Sequence, residues 1–275
     1  MSIKDYNKAI EEGESLKEIA LSYGEIASNR IKKIKFEVER NRLFFNEIAN
    51  IYNVVQQQAK LKKVSLKKDK KTISVLLSSN YRFYGNIDNE VIHSFLEQTP
   101  KLPTDRIVVG KTAQVFLKSM NYFNNYKSLE FKNDLPSADE LLSLTQLTKD
   151  YSQVLVFYPQ LSTLLVQKPV VSDITQSSLK NSTSVGLSYV IFEPELTKIL
   201  QFFDSSIISL LLEQTFFEAE LSRTASRILS MDHAQIEANR FIETQRQLKA
   251  HAQRSLENIR LLESLTSIMA LRKDI

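Results

Sequence analysis

The chain has 275 residues, of which 43% are hydrophobic and 25% charged, and this balance excludes an intrinsically disordered polypeptide. It contains no cysteine, which excludes disulfides, thiolate metal sites and a cysteine nucleophile. A net charge of +4 is too small to indicate nucleic acid as a partner. The sequence has neither a signal-peptide core nor a run of roughly 18 apolar residues, so we expect an intracellular, cytoplasmic protein.

The distribution of proline and glycine predicts two long helices around a globular middle. All six prolines lie between Pro100 and Pro194, and no glycine follows Gly186. These residues mark turns, so the two ends of the chain contain few of them. We therefore predict an N-terminal helix over residues 1–62, an α/β domain over 63–194 and a C-terminal helix over 195–275.

A heptad seam runs along the N-terminal helix. Alternating steps of three and four residues from Ile3 to Val55 select sixteen positions, and twelve of them are apolar. This pattern is typical of a helix that packs along a narrow seam against a second long helix. Small residues at four seam positions would let the second helix approach closely, namely Gly13, Ala20, Gly24 and Ala27. A lysine-rich stretch follows over 60–71, which indicates either a solvated loop or a contact with an acidic surface.

The C-terminal helix has a similar spacing from Phe203 to Ile242, which predicts antiparallel pairing with the N-terminal helix. It is the longer of the two, so we expect its end to project beyond the partner helix. That end, "LLESLTSIMALRKDI", is apolar on more than one side and would need a socket on another protein. The stretch 221–241 has only a thin apolar stripe, so we do not expect a core helix packed on a sheet there.

The middle of the chain reads as alternating strands and helices. Apolar runs of strand length occupy 72–79, 105–110, 152–159 and 184–194. Segments of helical character occupy 88–98 and 137–152, the second with Ser137 as N-cap and Glu140 in the capping-box position. The alternation predicts a largely parallel sheet with helices packed against it.

No constellation of catalytic residues stands out in this sequence. The stretch "VVGKTAQ" lacks the earlier glycine of a phosphate-binding loop, and the zinc-protease and dinucleotide-binding motifs are missing. His93, His233 and His251 are too scattered to share a metal ion. Ser226 and Asp232 lie close to His233 in sequence, but one helix cannot bring the three together on a substrate. We therefore expect no active site, cofactor or metal on this chain.

Several stretches, in the same order along the chain, resemble the gamma subunit of F-type ATP synthases, the central rotor shaft. The stretch "EAELSRTASRILSMDHA" resembles the C-terminal pattern ExxxSExxARMxAMxxA of that family, with Glu218, Ser222, Arg227 and Met231 in register. The stretches "FEPE", "LVFYPQLSTLLVQKP" and "VVGKTA" resemble further family motifs. The resemblance implies a long antiparallel coiled coil of the N- and C-terminal helices flanking a small Rossmann-like α/β domain.

The resemblance also implies a function and partners. The helical pair would turn inside a ring of catalytic and non-catalytic nucleotide-binding subunits and couple ATP hydrolysis or synthesis to rotation. The α/β domain would bind an epsilon-type subunit and, in a synthase, a membrane rotor ring, which would place the protein peripheral to the membrane. The implied contacts with the hexamer are Ile19, Ile26, Arg30, Arg227, Met231, Gln253, Arg254, Arg260, Leu261, Leu265, Ile268 and Met269. The implied lower contacts are Tyr81, Arg82, Tyr84 and Lys111.

The chain departs from the family pattern at several positions. The family's SDRGLCG is "SNYRFYG" here, its basic N-terminal segment is the acidic "NKAIEEGES", and the glutamate after its motif serine is Arg223. The Arg-Gln pair near the tip is reversed as Gln253 and Arg254. These departures would fit the shaft of a specialised F-type-like ATPase that hydrolyses ATP to drive mechanical work. Two further alternatives stand apart from a rotor: a static coiled-coil scaffold, and an adaptor that binds through its α/β domain.

Overall fold

The computed structural model describes residues 2–61, 69–120, 126–175, 193 and 195–273. Two long helices dominate this part of the chain, α1 over Ile3–Leu61 and α5 over Leu196–Lys273. Both helices occur where the scarcity of proline and glycine predicts them. The strand expected over 184–194 lies outside the described residues apart from Glu193, and so does the centre of the lysine-rich stretch, residues 62–68.

A five-stranded sheet with three helices separates α1 from α5 in the chain. The strands lie in the order β3-β2-β1-β4-β5, and all neighbours are parallel except β4 and β5, which are antiparallel. The strands are β1 over Asp69–Leu77, β2 over Thr104–Val109, β3 over Tyr126–Leu129, β4 over Tyr151–Thr163 and β5 over Val166–Asp173. The helices are α2 over Ile87–Gln98, α3 over Lys111–Ser119 and α4 over Ala138–Thr148. The predicted α/β class and the largely parallel sheet are confirmed.

The capping box at the start of α4 is confirmed. The Ser137 hydroxyl accepts a hydrogen bond from the Glu140 amide, and the Glu140 carboxylate accepts one from the Ser137 amide. The helix ends earlier than the predicted Ser152, because Tyr151 already pairs with Asp69 as part of β4. β4 in turn continues through Pro159, which lies beyond its last pair with β1, where a proline removes a donor only from an open edge.

The sheet has a core on each of its two faces. Val75 and Leu77 belong to one apolar cluster and the intervening Leu76 to the other, as the alternation of side chains along a strand requires. Tyr52 of α1 and the apolar residues of α5 between Ile207 and Ala219 complete the first cluster. The second cluster is completed by α2 and α3. The first half of α5 is therefore a core helix of the α/β domain.

The described chain forms two compact units, residues 1–26 with 228–275, and residues 27–227. In the first unit, Gly13 lies against Ile242, Gly24 against Met231, and Glu14 pairs with Arg246 at 2.8 Å. In the second unit, the rings of Tyr52 and Phe203 pack in a tilted arrangement, with centroids 6.3 Å apart. Residue numbers fall along α5 as they rise along α1, so the predicted antiparallel pairing is confirmed within each unit.

The seam of α1 faces the partner helix as its spacing predicts. Every seam position whose side chain the structure describes is buried or partly buried, and Ala20 and Ala27 are almost completely covered. The small residues allow the close approach that was expected. A Cβ atom placed on Gly13 would lie only 2.9 Å from Ile242 Cγ1.

The end of α5 extends past its partner in the first unit. Gln253 still lines a groove shared with Asn7 of α1, and α5 then continues to Lys273, about 20 residues or roughly 30 Å further. Every described side chain from Leu261 to Met269 is exposed, including five large apolar ones. This confirms the projecting apolar tip. None of the described helices contains an apolar stretch capable of spanning a bilayer.

Candidate functional site

The segment of α5 over residues 218–227 is polar in sequence but buried in the structure. Glu220, Ser222 and Thr224 are fully covered, and Arg223 is 1% exposed. The expectation that the polar stretch beginning at Leu221 does not pack on a sheet is therefore wrong for residues 222–227. The physical reason is that Arg223, Ser226 and Arg227 have hydrogen-bond partners on other elements of the second unit, which offsets part of the cost of burial. The offset is incomplete, because four buried atoms of these residues have no hydrogen-bond partner in the part of the chain that the structure describes: Ser222 Oγ, Thr224 Oγ1, Arg223 Nη1 and Arg227 Nε.

Arg223 reaches the carboxyl end of β1. Its Nε donates to Asp88 Oδ1 of α2 at 3.1 Å, and its Nη2 donates to the carbonyl of Leu77 at 3.1 Å. Burial by itself would lower the pKa of Arg223, but the carboxylates of Asp88, Asp134 and Glu220 outweigh that effect and raise it. Arg223 therefore stays charged, and one guanidinium group joins α5, α2 and β1.

Asp88 extends this contact to α3. Its Oδ2 accepts a hydrogen bond of 2.5 Å from the Ser79 hydroxyl, which also lies 3.0 Å from the Thr112 hydroxyl in the first turn of α3. We call Arg223, Asp88, Ser79 and Thr112 the Arg223 cluster. It connects the four elements that meet at the carboxyl edge of β1 and β2.

A second set of contacts surrounds the turn after β1. Ser226 donates to the carbonyl of Tyr84 at 2.7 Å, and Arg227 donates to the carbonyl of Arg82 at 3.0 Å, with its guanidinium 4.0 Å above the Tyr84 ring. Tyr84 in turn donates to Asp134 at 2.6 Å. Burial raises the pKa of Tyr84, and the charges of Glu220 and Asp134 raise it further, so the phenol remains a donor.

Two glutamates complete the polar side of this segment. Glu220 Oε1 lies 2.8 Å from Arg30 Nη2 of α1. Burial raises the pKa of Glu220 to about 7, although Arg30 and Arg223 act in the opposite direction. Glu218 accepts hydrogen bonds from Tyr158 at 3.0 Å and from Gln160 at 3.3 Å, both on β4.

This segment of α5 lies where doubly wound folds usually bind their ligands. The strand order reverses between β1 and β4, and ligands of such folds bind outside the carboxyl ends of the strands at that point. Here Arg223 occupies the end of β1, and Glu218 contacts β4. The helix itself fills the crevice.

The start of α3 is also closed by the chain. The amides of Gly110, Lys111 and Thr112 donate to Leu129, Asn80 and Ser79, respectively. Gly110 has a φ of +101°, and a Cβ there would lie 2.3 Å from the Ser78 carbonyl oxygen, so the close approach of the segment that follows β1 requires glycine. These amides already have acceptors, so they are not aimed at an anion, in keeping with the sequence of "VVGKTAQ".

Some of the residues that the resemblance assigned to partner contacts are exposed in the structure, and others are buried. The exposed ones on α1 and α5 are Ile19, Ile26, Gln253, Arg254, Arg260, Leu261, Leu265, Ile268 and Met269. The exposed ones on the α/β domain are Tyr81, Arg82 and Lys111. Arg30 is partly buried in its pair with Glu220.

Three of the expected partner contacts are corrected by their burial. Tyr84 is 3% exposed, Arg227 7% and Met231 8%. Tyr84 and Arg227 contact each other beneath the turn after β1, and Met231 packs against Gly24 in the seam. Since little of their surface is accessible, we assign these three residues to contacts within the chain.

Sequence reasoning missed the buried ion pair of Arg223 with Asp88. The two residues are 135 positions apart, so no local pattern connects them. The one available signal was that Arg223 replaces a glutamate of the family pattern. The histidines are unremarkable by comparison: His93 packs edge-on against Phe116, and His233 and His251 are exposed on α5.

The fold therefore combines two long helices, paired antiparallel within each unit, with an α/β domain. In that domain, α5 occupies the position where doubly wound folds usually bind ligands. A family model described as ATP synthase matches residues 2–256. The chain belongs to this family, and its curated relatives in it are gamma subunits.

Individual relatives are distant but similar in length. The ATP synthase gamma chain of Clostridium novyi is 22% identical over 237 residues, covering 81% of this chain and 82% of that one. The ATP synthase gamma chain of Mycoplasma capricolum is 23% identical, covering 76% and 77%. The fold is similar to that of a chain in the central stalk and c-ring of the Tetrahymena thermophila mitochondrial ATP synthase, with a TM-score of 0.60 and 17% identity over 78% of this chain and 99% of that chain.

Proposed function

We propose that this chain is the central-stalk rotor subunit of an F-type rotary ATPase. The single observation that supports this best, beside family membership, is the projecting tip of α5. Its large apolar residues, among them Leu261, Leu265, Ile268 and Met269, are each more than half exposed. A lone helix with such a surface is stable in solution chiefly when another protein encloses it. The ring of catalytic and non-catalytic nucleotide-binding subunits is the proposed enclosure.

In this proposal the chain carries no catalytic residues of its own. ATP is hydrolysed or made in the surrounding subunits, and the angle of α5 determines which of their sites is open. The exposed part of α5 suits this role because its charges are mixed and solvated. Arg240 and Glu237, for example, pair at the surface with 70% and 64% of their side chains exposed. Such contacts contribute only about 0 to 1 kcal/mol each, so they can exchange as the shaft turns.

The α/β domain is the proposed attachment point for the lower partners. Tyr81, Arg82 and Lys111 expose an aromatic and basic surface at the carboxyl edge of the sheet, where Tyr81 donates to Asn133 at 2.9 Å. This surface would contact an epsilon-type subunit and, in a synthase, the membrane rotor ring. The protein would then be cytoplasmic and peripheral to the membrane.

One observation favours the shaft of a specialised ATPase over that of a synthase. In the turn after β1, Arg82 takes the place of the first glycine of the family's SDRGLCG and Phe83 that of its leucine, and both residues are exposed. This bulkier aromatic and basic surface suits a partner other than the usual ring.

Co-purification with a point-substituted tip tests the rotor proposal. The chain is tagged, isolated from native lysate, and assayed for ATPase activity and bound proteins. We expect two related nucleotide-binding subunits in about threefold excess, as one shaft in a threefold ring requires. Replacing Leu261 and Leu265 by serine should reduce recovery of the ATPase activity.

A matched control for these substitutions exists in the β4–β5 hairpin. Leu164 and Leu165 are 61% and 74% exposed, and Leu261 and Leu265 are 61% and 52% exposed. Serine at the hairpin should leave the recovered ATPase unchanged. Recovery of the wild-type chain alone or as a homodimer would contradict the rotor and favour a static scaffold. Recovery of the same partners in full by the chain with serine at Leu261 and Leu265 would favour an adaptor that binds through its α/β domain.

A further inference from the structure

The Arg223 cluster needs an explanation that contact with a hexamer does not supply. All four of its residues lie inside the second unit, and the described atoms of the cluster touch other residues of this chain. The first half of α5 would already be held on the sheet by its apolar residues, from Ile207 to Ala219. A buried ion pair adds little net stability compared with apolar residues of the same volume. Stability alone therefore does not account for it.

The polar contacts hold α5 from several directions around its axis. Successive residues of a helix are rotated by about 100°, so Arg223 is about 140° from Glu218, and Arg227 is about 40° further round. Glu218 contacts β4, Arg223 contacts α2 and β1, and Arg227 contacts the turn after β1. A rotation of α5 about its own axis would break all three contacts together.

Apolar and polar contacts resist such a rotation differently. The hydrophobic effect depends on the area removed from water and has no preferred direction, so one apolar face can slide over another. A hydrogen bond weakens steeply when its angle falls below about 120°. The planar guanidinium of Arg223 is held at two of its nitrogens, which fixes its orientation as well as its position.

We propose that Arg223 is the torque-bearing residue that fixes the rotational angle of α5 relative to the α/β sheet. This inference rests on the proposed rotor function, and it identifies the contact through which α5 transmits force to the α/β sheet. When the ring turns α5, the helix pulls on Asp88 and on the end of β1 through Arg223, and α2 and α3 follow through Ser79 and Thr112. The crevice that binds ligands in other doubly wound folds serves here as a joint.

The chemistry of Arg223 is specific to this task. A lysine would keep the charge, but its single nitrogen could not maintain the same planar, two-point contact. Asp88 is the complementary position, because its two oxygens face Arg223 and Ser79, respectively. Arg223→Lys and Asp88→Asn should therefore each weaken the contact between α5 and the sheet while keeping a polar side chain of similar size in place.

Measurement of torque in the purified complex tests the proposal. The chain has no cysteine, so Lys118→Cys, on the exposed surface of α3, provides a single site for a bead. With Arg223→Met, we expect ATP hydrolysis by the complex to persist while the stall torque at the bead falls by about twofold or more, because the buried carboxylate has lost its partner. Asp88→Asn should give a smaller fall in the same direction.

Two control variants separate a torque-bearing role from a merely structural one. Lys198→Met removes an exposed cation from the same helix, outside the part that enters the ring, and should leave the torque unchanged. Leu212→Ala removes a fully buried apolar contact between α5 and the sheet. It should lower the melting temperature but preserve the torque. An equal loss of torque in Leu212→Ala and Arg223→Met would overturn the proposal.

A second measurement on the isolated chain keeps this inference distinct from the rotor itself. Spin labels at Lys118→Cys and Phe202→Cys report the distance between α3 and α5 within the second unit, and both positions are exposed. We expect the distance distribution to become about twofold wider with Arg223→Met, since the angle is no longer fixed. An unchanged distribution would overturn the proposal whether or not the complex rotates. A wild-type complex that hydrolyses ATP without bead rotation, together with a widened distribution, would contradict the rotor but support the joint.

Discussion

Two stretches of α5 are similar in composition, but one is buried and the other is exposed to solvent. Residues 220–227 read ELSRTASR, and residues 253–260 read QRSLENIR. In the first, every residue except the partly buried Leu221 is buried, whereas all residues of the second are exposed. Composition and helical spacing therefore do not decide which part of a polar helix becomes a core. Whether a polar part of the helix is buried depends on whether neighbouring elements supply partners for its charges.

The buried stretch has such partners, whereas no ion pair joins residues 253–260 to another side chain in the part of the chain that the structure describes. Glu220 is paired with Arg30 of α1, and Arg223 with Asp88 of α2. Removing one member of such a pair leaves a buried charge without compensation, whereas a charge in the exposed stretch is compensated by water.

The largest expected effect is that of Asp88→Ala. This substitution leaves the Arg223 guanidinium buried beside Leu77 without its carboxylate, and we expect a loss of about 3 to 5 kcal/mol in the free energy of unfolding. The matched control is Glu257→Ala in the exposed stretch, which should change it by less than about 0.5 kcal/mol. Urea denaturation followed by circular dichroism measures both. Similar losses in the two variants would contradict the contrast.

The second expected effect concerns the pH dependence of Glu220. Its pKa is raised from 4.5 to about 7 on folding, so the folded chain holds the proton more tightly than the unfolded chain. The stability this contributes is complete below the unfolded pKa and is lost as the pH rises to the folded pKa. Glu220→Gln, which stays neutral, should therefore gain stability relative to wild type between about pH 5 and pH 8, by at most about 3 kcal/mol.

Thermal melts across this pH range measure the difference between Glu220→Gln and wild type. Glu237→Gln is the control, because Glu237 is exposed and pairs with Arg240 at the surface. Its difference from wild type should stay nearly constant with pH. A flat profile for Glu220→Gln would mean that Arg30 compensates the buried charge completely.

The third expected effect concerns how closely the two helices pack at the seam glycines of the first unit. Gly24→Ala places a Cβ 3.7 Å from Met231 Cβ, an ordinary contact, and should raise the free energy of unfolding by up to about 1 kcal/mol through helix propensity. Gly13→Ala places one 2.9 Å from Ile242 and 3.1 Å from Phe241. Its gain should be cancelled or reversed by overpacking. Equal stabilisation of the two variants in urea denaturation would show that the helices separate readily at Gly13.

The smallest expected effect is that of Arg240→Met. Arg240 and Glu237 lie on the same exposed face of α5, so their pair should contribute no more than about 0.5 kcal/mol. The variant should unfold at nearly the wild-type denaturant concentration. A loss above about 1 kcal/mol would indicate that this part of α5 is as sensitive to charge removal as residues 220–227.

Much of the fold could be predicted from the spacing of apolar residues and the positions of proline and glycine. The seam of α1, the antiparallel pairing, the apolar tip and the first three predicted strands follow from local patterns that the structure preserves. β3, β5 and α3 were not predicted. β3 has only four residues, β5 contains Pro169 as an edge strand can, and α3 begins in a stretch weighed only as a phosphate loop.

The candidate site was less predictable than the fold. The apolar tip is visible in sequence because it consists of residues that normally avoid water. The burial of Arg227 and Arg223 depends on Tyr84 and Asp88, more than 130 positions earlier in the chain. Only the assembled sheet brings these residues together, so a polar segment of the core was mistaken for a polar surface.

The measurement that tests the rotor most directly is cryo-electron microscopy of the purified complex during ATP turnover. The rotor proposal predicts one copy of this chain, with the tip of α5 inside a ring of nucleotide-binding subunits. It also predicts that α5 is distributed over three orientations related by the threefold symmetry of the ring. A chain bound outside the ring, or α5 in one fixed orientation throughout turnover, would contradict it.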